Sequence, residues 1–385
     1  MRRSSSAKLA RVRAAMAQQD LDAVVVRAPD NVLYLSNFWG MKGYEAVVFP
    51  REGEPALITI DPSQADAERT AWTSDVRLVP GYDERDPRPP AMRTLDLARD
   101  ATRGYARVGL ELSLGTQAAD RMVGEPTTYT KAWFDAWPDA LDATPLLVEA
   151  RALKTEQEIE RMRLANELAA QAMEHCRKHA RAGMRESELG AMWNGFVHGE
   201  GTGFEGRVEL AHGFSLVWSG RGIRTFTATG DRPVQEHEPT LFEIWVCADG
   251  YWCDHTKNLC PGELSPEYDR LLDGLLTVYN TAIDYTEPGA SLADLDRLIR
   301  DGIAEIGYPG QPSHPVCHGV GARAHEPPYA HQAAGGGVRE GMVLAIEPGA
   351  YWPAGGGLRL EDNFLITSSG ALKLSPFPDD LRMLR

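Results

Sequence analysis

Apolar residues follow two periods in the first third of the chain, one typical of helices and one typical of strands. Leu9, Val12 and Met16 recur at helical spacing and predict a helix over residues 7–19. A second helix is predicted around residues 91–103. Short apolar runs lie between these helices and predict strands joined by turns, namely LDAVVV, NVLYLS, EAVVFP and PALITI. Because strands alternate with helices, about the first 130 residues are predicted to form a mixed α/β domain.

The rest of the chain opens on a long amphipathic helix and continues as a mixture of helices and strands. Thr155 followed by Glu158 makes a capping-box pattern, which predicts that a helix starts here. Two more helices are predicted at 268–278 and 292–303, and strands are predicted in TLFEIWVCADGYWCDHT, MVLAIEP and LRLEDNFLIT. The stretch 124–147 is rich in Pro, Thr and Trp and interrupts both periods. We therefore expect two domains, residues 1–150 and an α+β domain over residues 151–385.

Composition and charge argue against several classes of function. The 385 residues carry a net charge of −15, which disfavours a nucleic-acid partner because phosphate binding requires a basic surface. No run of about 18 apolar residues occurs, so no membrane partner is expected. The first residues, MRRSSSAKLARVRAAM, lack the apolar core of a signal peptide. Five cysteines without a repeated spacing favour reduced thiols, and a cytoplasmic location is expected.

Three glutamates interrupt the apolar strands of the second domain: Glu243 in LFEIWV, Glu347 in VLAIEP and Glu361 in LRLEDNF. Burying an ionised carboxylate costs several kcal/mol unless a cation or a hydrogen-bonding partner compensates it. One such glutamate is commonly a salt-bridge residue, and a lone histidine beside glycines is commonly a core residue. Together with Asp254 and His318, however, the three glutamates predict a shared site for hard divalent metals. Two metal ions would explain why so many anionic ligands gather.

These residues lie in motifs that resemble the pita-bread metallopeptidases, the family of prolidase, aminopeptidase P, methionine aminopeptidase and creatinase. The segment NVLYLSNF resembles the amino-terminal domain of the prolidase and creatinase branch, and RALKTEQEI resembles the start of its catalytic domain. The other matching segments follow in the family's order: DHTK, HPVCHGVG, AHEPP, MVLAIEPG and GLRLED. The resemblance implies a pita-bread catalytic domain preceded by a smaller α/β domain. It also implies a homodimer and a cofactor of two divalent ions (Mn, Co, Zn or Fe).

The resemblance also implies a role for each ligand. Glu243 and Asp254 keep the family's interval of eleven residues between the first two acidic ligands. By analogy, Asp254 and Glu361 bridge both metals, Glu243 helps to hold one metal, and His318 and Glu347 hold the other. A water between two cations would lose a proton readily and attack the scissile carbonyl.

Four residues are assigned catalytic or substrate-binding roles by the same resemblance. Glu347 is expected to shuttle protons during catalysis. His325 is expected to contact the substrate carbonyl or to stabilise the oxyanion. His314, four residues before His318, resembles a second pocket histidine. Arg359, two residues before Glu361, resembles an arginine near the substrate's proline carboxylate.

Three positions depart from the family pattern. Glu243 stands where the family has aspartate, so its carboxylate is displaced by one methylene unless the backbone compensates. Phe226 stands about seventeen residues before the first ligand, where the peptidases place a pocket histidine. Lys257 replaces the usual arginine after the Asp-x-Thr triplet. The first two changes affect the metal site and the substrate pocket.

Three classes of function remain open at this point. The first is a proline-specific peptidase that cleaves Xaa-Pro bonds in small peptides. The second is an enzyme acting on a small non-peptide molecule, as creatinase, ectoine hydrolase and a sulfonium lyase of this family do. The third is a binding protein on an inactive peptidase fold. The retained ligands, His325 and Arg359 favour the first, whereas Glu243 and Phe226 favour the second.

Overall fold

A computed structural model of the protein describes residues 6–40, 43–112, 127–225, 227–352 and 356–384. The chain divides into two compact units, residues 1–151 and 152–385. Among the helices of the described ranges, none has the length and apolar character needed to span a bilayer.

The described residues of the first unit form a six-stranded mixed sheet with helices on both faces. The strand order is β4-β3-β2-β1-β5-β6, with antiparallel pairs β1/β2 and β2/β3 and parallel pairs elsewhere. The elements are α1 Ser6–Gln18, β1 Ala23–Val26, α2 Pro29–Ser36, β2 Ala46–Pro50, β3 Ala56–Ile60, α3 Gln64–Thr70, β4 Asp75–Val79, α4 Pro90–Ala101, β5 Val108–Leu110, α5 Thr127–Ala136, β6 Leu141–Asp142 and α6 Thr144–Ala152.

Strand β1 is buried on both faces, which explains its uninterrupted apolar sequence. Val24 and Val26 pack in the same cluster as Val12 of α1. Ala23 and Val25 point the other way, into a separate cluster. Alternate side chains of β1 therefore pack on opposite faces of the sheet, as expected for a central strand of the predicted mixed α/β domain.

The strand predicted for NVLYLS is wrong, because this segment belongs to helix α2. Pro29 opens the helix, where its missing N–H is tolerated, and Asn37 ends it in the left-handed conformation at φ 62°. Every residue from Asp30 to Ser36 is buried. A fully buried short helix has the same apolar run as a buried strand, so the period alone could not distinguish them.

In the described part of the second unit there are three antiparallel sheets and four α-helices. The sheets have the orders β7-β8-β9, β11-β10-β12-β15-β16 and β13-β14. The elements are α7 Glu156–His179, α8 Glu186–Glu200, β7 Ala211–Ser219, β8 Thr240–Ala248, β9 Tyr251–Leu259, α9 Pro266–Tyr285, α10 Leu292–Glu305, β10 Cys317–Gly319, β11 Glu326–Tyr329, β12 Val343–Ile346, β13 Gly349–Trp352, β14 Gly356–Arg359, β15 Asp362–Thr367 and β16 Gly370–Lys373.

Local sequence accounts for the boundaries of several of these elements. Thr155 and Glu158 form the predicted capping box at the start of α7. Asp249 and Gly250 both have positive φ and join β8 to β9 by a tight turn, which suits a two-residue hairpin. The run LRLEDNFLIT, predicted as one strand, divides into β14 and β15 of different sheets.

Helices pack on one face of each of the two larger sheets. Phe242, Ile244 and Val246 of β8 pack in one core cluster with residues of α7 and α8. Leu344 and Ile346 of β12 pack in another cluster with residues of α9 and α10. Because side chains alternate along a strand, the intervening positions point away from these cores. The predicted metal ligands of the second unit come from these opposite faces and from the strand ends.

Candidate metal centre

Asp254 is held at its place in β9 by Asn363 of β15. The backbone N–H of Asp254 donates to Asn363 Oδ1 at 3.0 Å, and Asn363 Nδ2 donates to the carbonyl of Asp254 at 2.8 Å. Asp254 and Thr256 share one face of the strand. His255 lies on the other face, where its Nε2 is 2.7 Å from Asn166 Oδ1. The reciprocal pairing therefore fixes the direction of the Asp254 carboxylate.

The sequence predicted Glu361 within a strand, but the residue lies in the break between β14 and β15. It forms an isolated bridge with Thr256. The Thr256 hydroxyl donates to Glu361 Oε2 at 2.6 Å. Glu361 is thereby tied to the strand that carries Asp254.

His318 and Glu347 come from neighbouring strands of the five-stranded sheet. His318 lies in β10 opposite Ala345 of β12, and Glu347 follows the last residue of β12. His318 Nδ1 donates to the carbonyl of Gly319 at 3.0 Å, which assigns the proton to Nδ1 because a carbonyl can only accept. Burial lowers the pKa of His318 to about 4. Nε2 of a neutral ring therefore presents a lone pair to the carboxylates.

The structure brings four of the five predicted ligands together. His318 Nε2 lies 3.4 Å from Glu347 Oε1, 3.6 Å from Asp254 Oδ2 and 4.0 Å from Glu361 Oε1. Ligand atoms bound at about 2.1 Å lie about 3.0 Å apart at octahedral angles and about 3.4 Å apart at tetrahedral angles. The ligand atoms of His318, Glu347 and Glu361 lie within 4.8 Å of one another, as do those of Asp254, His318 and His325, so among the described residues His318 is shared by two groups that could each hold a cation.

The electrostatics of the cluster also favour a cation. Burial raises the pKa of Glu347 to about 7 and that of Glu361 to about 8, and for Glu361 the nearby Glu347 carboxylate adds to the effect. Burial and the Glu361 carboxylate raise the pKa of Asp254 as well. Within the described residues, Asp254 Oδ2 and His318 Nε2 make no hydrogen bond although both atoms are buried. Buried acceptors with no donor fit a metal ion, so these four residues satisfy the chemistry of a cation site.

His325 lies beside the same cluster and is its more accessible histidine. Its Nε2 is 3.2 Å from Asp254 Oδ2, and its ring centroid is 4.4 Å from that of His318. The side chain is 23% exposed, whereas that of His318 is fully buried. Burial lowers the pKa of His325 to about 4, with a further contribution from Arg359. A neutral imidazole at the edge of the site can contact a bound substrate.

Glu243, the remaining predicted ligand, is oriented differently. It lies in β8 between Leu216 of β7 and Thr256 of β9. Its Oε2 is 2.8 Å from Arg359 Nη2, so the two side chains form an ion pair. The contact does not have the angle of a hydrogen bond. Among the described residues, the two groups able to hold a metal are Asp254, His318 and His325, and His318, Glu347 and Glu361. Glu243 belongs to neither group.

Arg359, predicted to bind a substrate carboxylate, is buried and surrounded by protein partners. Besides Glu243, its Nε donates to Thr256 Oγ1 at 2.6 Å and lies 3.6 Å from Glu361 Oε2. Its Nη1 is 3.5 Å from the hydroxyl of Tyr351. Only 2% of the residue is exposed. The guanidinium therefore already compensates carboxylates of the protein itself.

His314 and Tyr351 close a chain of contacts at the other side of the site. His314 Nδ1 donates to the carbonyl of Pro315 at 2.6 Å and lies 3.2 Å from Glu347 Oε2. The Tyr351 hydroxyl, 3.0 Å from His314 Nε2, therefore acts as the donor. Burial and Arg359 lower the pKa of His314 to about 4. The sequence analysis did not single out Tyr351, although the two-residue repeat of a strand relates its position to that of Glu347.

Lys257 and Phe226 are the two remaining positions that depart from the family pattern. Lys257 takes no part in the cluster. Its buried ammonium contacts Asp362 and lies 2.9 Å from Asp379 Oδ1, in a network that includes Lys373. Phe226 lies outside the described residues.

Family models match both units of the chain. The model of metallopeptidase family M24 matches residues 160–368, and that of the Creatinase/Prolidase N-terminal domain matches residues 8–164. The chain belongs to metallopeptidase family M24. The predicted family and the predicted α+β fold with a smaller amino-terminal α/β domain are thus confirmed.

Individual relatives agree with this placement. YkvY of Bacillus subtilis (strain 168), provisionally named a dipeptidase, is 29% identical over 244 residues, or 63% of this chain. The chain spans just under two thirds of the length of the curated relatives it matches, 66% in the case of YkvY.

Solved structures extend the similarity of fold to almost the whole chain. The prolidase from Pyrococcus horikoshii OT3 has a TM-score of 0.81 at 22% identity, covering 98% of this chain and 100% of that one. The Xaa-Pro dipeptidase from Bacillus anthracis has a TM-score of 0.80 at 22% identity, covering 98% and 99%.

Proposed function

We propose that the chain is a metal-dependent peptidase that hydrolyses Xaa-Pro bonds in dipeptides and other small peptides. The observation that carries the proposal is the convergence of His318 with Asp254, Glu347 and Glu361, including two buried atoms, Asp254 Oδ2 and His318 Nε2, that make no hydrogen bond within the described part of the chain. The substrate class is taken from the names of the similar structures, a prolidase and an Xaa-Pro dipeptidase.

In this proposal Asp254, His318, Glu347 and Glu361 are ligands for divalent cations, with Mn, Co, Zn and Fe as candidates. When bound, such a cation supplies a Lewis acid that lowers the pKa of water and polarises a carbonyl. The buried setting strengthens these interactions, because few competing dipoles of bulk water reach the ligands. Two further expectations belong to the same proposal: a homodimer, which rests on the family resemblance, and a cytoplasmic location, which rests on the scattered cysteines.

Glu347 is the proton carrier in this scheme. Its Oε1 lies 3.4 Å from His318 Nε2 and its Oε2 lies 3.2 Å from His314 Nδ1, so each oxygen lies beside an imidazole nitrogen. Burial favours its protonated form. Glu347 can therefore take a proton from the attacking water and return it to the leaving nitrogen of the peptide.

His325 is the residue placed to contact the scissile carbonyl. It is neutral, partly exposed and adjacent to Asp254. A neutral ring can donate one N–H to the oxyanion that develops during attack. Arg359, in contrast, would have to leave Glu243 before it could bind a substrate carboxylate.

The test compares His318→Ala with His331→Ala, an exposed histidine of the same unit that serves as a matched control. Protein stripped of metal and reloaded with Mn²⁺ is assayed on Ala-Pro, with Ala-Ala as the non-prolyl control. We expect cleavage of Ala-Pro that EDTA abolishes and that His331→Ala retains. His318→Ala should lower kcat/KM by about 100-fold or more, because even outer partners of a metal site are worth 10–100-fold.

Two results would contradict the proposal. One is a metal-loaded protein that is inert on Ala-Pro and on Xaa-Pro-Xaa peptides but hydrolyses a guanidine or cyclic amidine, which would favour the non-peptide class. The other is full activity of His318→Ala.

A further inference from the structure

The segment 311–316, which carries His314 into the site, lies outside the helices and strands. It connects the turn after α10 to β10, and two of its residues, Pro312 and Pro315, have no backbone N–H to donate. Backbone hydrogen bonds can therefore do less here than in a segment without proline. His314 is nevertheless only 4% exposed, and its Nδ1 lies 3.2 Å from Glu347 Oε2.

Arg300 of α10 makes two hydrogen bonds to the backbone of this segment. Its Nη1 donates to the carbonyl of Pro312 at 2.6 Å, and its Nη2 donates to the carbonyl of His314 at 3.1 Å. The two carbonyls lie two residues apart along the chain. A single guanidinium on a helix therefore fixes the backbone at His314 and just before it.

Asp296 holds Arg300 in turn. The Nε of Arg300 donates to Asp296 Oδ1 at 2.9 Å, across one turn of α10. The Asp296 side chain is 2% exposed and that of Arg300 is 30% exposed. Because the guanidinium is planar and its donors form a fixed fork, an Nε directed at Asp296 leaves both Nη atoms directed at the carbonyls. A lysine would offer one nitrogen in place of three.

The ring of His314 is held separately from its backbone. Its Nδ1 donates to the carbonyl of Pro315 at 2.6 Å, and its Nε2 accepts from the Tyr351 hydroxyl at 3.0 Å. Pro315 belongs to the same segment, so the first bond moves with the segment and does not fix it in the site. Arg300 holds the backbone of His314, whereas Tyr351 holds the outer nitrogen of its ring.

We propose that Arg300 is a positioning residue, which fixes the His314 ring beside Glu347 through the carbonyls of Pro312 and His314. Asp296 orients Arg300 for this role. Arg300 acts through His314 and is neither a metal ligand nor a catalytic residue. The effect on catalysis rests on the proposed function, whereas the position of the His314 ring can be measured without a substrate.

A double-mutant cycle on the full-length protein, loaded with Mn²⁺ and assayed on Ala-Pro, tests the proposal. The variants are Arg300→Ala, His314→Ala and the combination of both. Arg297→Ala is the matched control, because Arg297 is an exposed arginine of the same helix that pairs with Asp294. Thermal melting and elemental analysis show whether each variant is folded and loaded with manganese.

We expect Arg300→Ala to lower kcat/KM by about tenfold to 100-fold at unchanged manganese content, because a small displacement of a group in the site is costly. Arg297→Ala should stay within about twofold of the wild type. In the His314→Ala background, Arg300→Ala should lower kcat/KM by less than about twofold, because the residue that it positions is gone. Arg300→Lys should recover part of the loss, since it keeps the charge but not the fork. Equal losses in both backgrounds, or no loss in either, would overturn the inference.

A second measurement does not depend on activity. In nuclear magnetic resonance spectra of the metal-free protein with isotope-labelled histidine, the His314 signal is assigned by its loss in His314→Ala. It should shift or broaden in Arg300→Ala and stay in place in Arg297→Ala. An unchanged signal in Arg300→Ala would overturn the inference, whatever the protein hydrolyses. A wild type inert on Ala-Pro, with the His314 signal shifting as expected, would overturn the proposed function and support the positioning role.

Discussion

Glu347 and Glu361 hold protons more tightly than exposed glutamates do, because burial removes water from both carboxyl groups. The pKa is raised from 4.5 to about 7 for Glu347 and to about 8 for Glu361. A raised carboxyl pKa means that the metal-free fold loses stability as the pH rises from about 4.5 through these values. A cation requires the ionised forms, so it must displace these protons below pH 7.

Mn²⁺ affinity is therefore expected to increase as the pH rises from 6 to 7.5, by about tenfold or more, because each displaced proton contributes up to about tenfold per pH unit. Calorimetric titrations at these pH values measure the affinity. Repeating them in two buffers of different ionisation enthalpy gives the number of protons released. A pH-independent affinity without proton release would contradict the proposed ligand set.

At the scale of single residues, the sequence predicted which side chains lie together better than it predicted their individual contacts. Asp254, His318, Glu347 and Glu361 were predicted to converge, and their atoms do lie together. The partner of Glu243 could not be predicted, because Arg359 is distant in sequence and its direction depends on the break between β14 and β15. For the same reason Arg359 was expected to face a substrate and not a carboxylate of the protein.

At the scale of elements, the site depends on the connection between β9 and β15. Asn363 exchanges two hydrogen bonds with the backbone of Asp254, and Thr256 forms an isolated bridge with Glu361. Ligands from two sheets are thereby kept at fixed separation. Metal sites tolerate little error in ligand position, so this connection should contribute to affinity as well as to stability.

Asn363→Ala should lower the free energy of unfolding by about 2–4 kcal/mol, because it leaves a buried N–H and a buried carbonyl without partners. It should also weaken Mn²⁺ binding by about tenfold. Denaturant unfolding and calorimetric titration measure the two effects. Asn280→Ala, at an exposed position of α9, is the matched control and should change stability by less than about 0.5 kcal/mol. An Asn363→Ala variant with unchanged affinity would show that the connection does not position Asp254.

The elements themselves were predictable where a period or a cap was distinctive. The capping box of α7 and the strands around Glu243 and Asp254 follow from the sequence. Helix α2 was taken for a strand because all of its faces are buried. The division of LRLEDNFLIT between two sheets was also not evident, since no Gly or Pro marks the break at Glu361.

At the scale of the whole molecule, the order of motifs along the chain carried the most information. The predicted family and two-part fold are confirmed by models that together match residues 8–368. The identity of the substrate was less accessible, because the residues that contact it need not lie in recognisable motifs. The Glu243–Arg359 pair likewise became visible only in the structure.

The most direct measurement of the central claim is anomalous diffraction at the manganese edge from crystals of the Mn²⁺-loaded protein. The account predicts anomalous density within bonding distance of His318 and of the carboxylates of Asp254, Glu347 and Glu361. The absence of any peak at this position would contradict the ligand set.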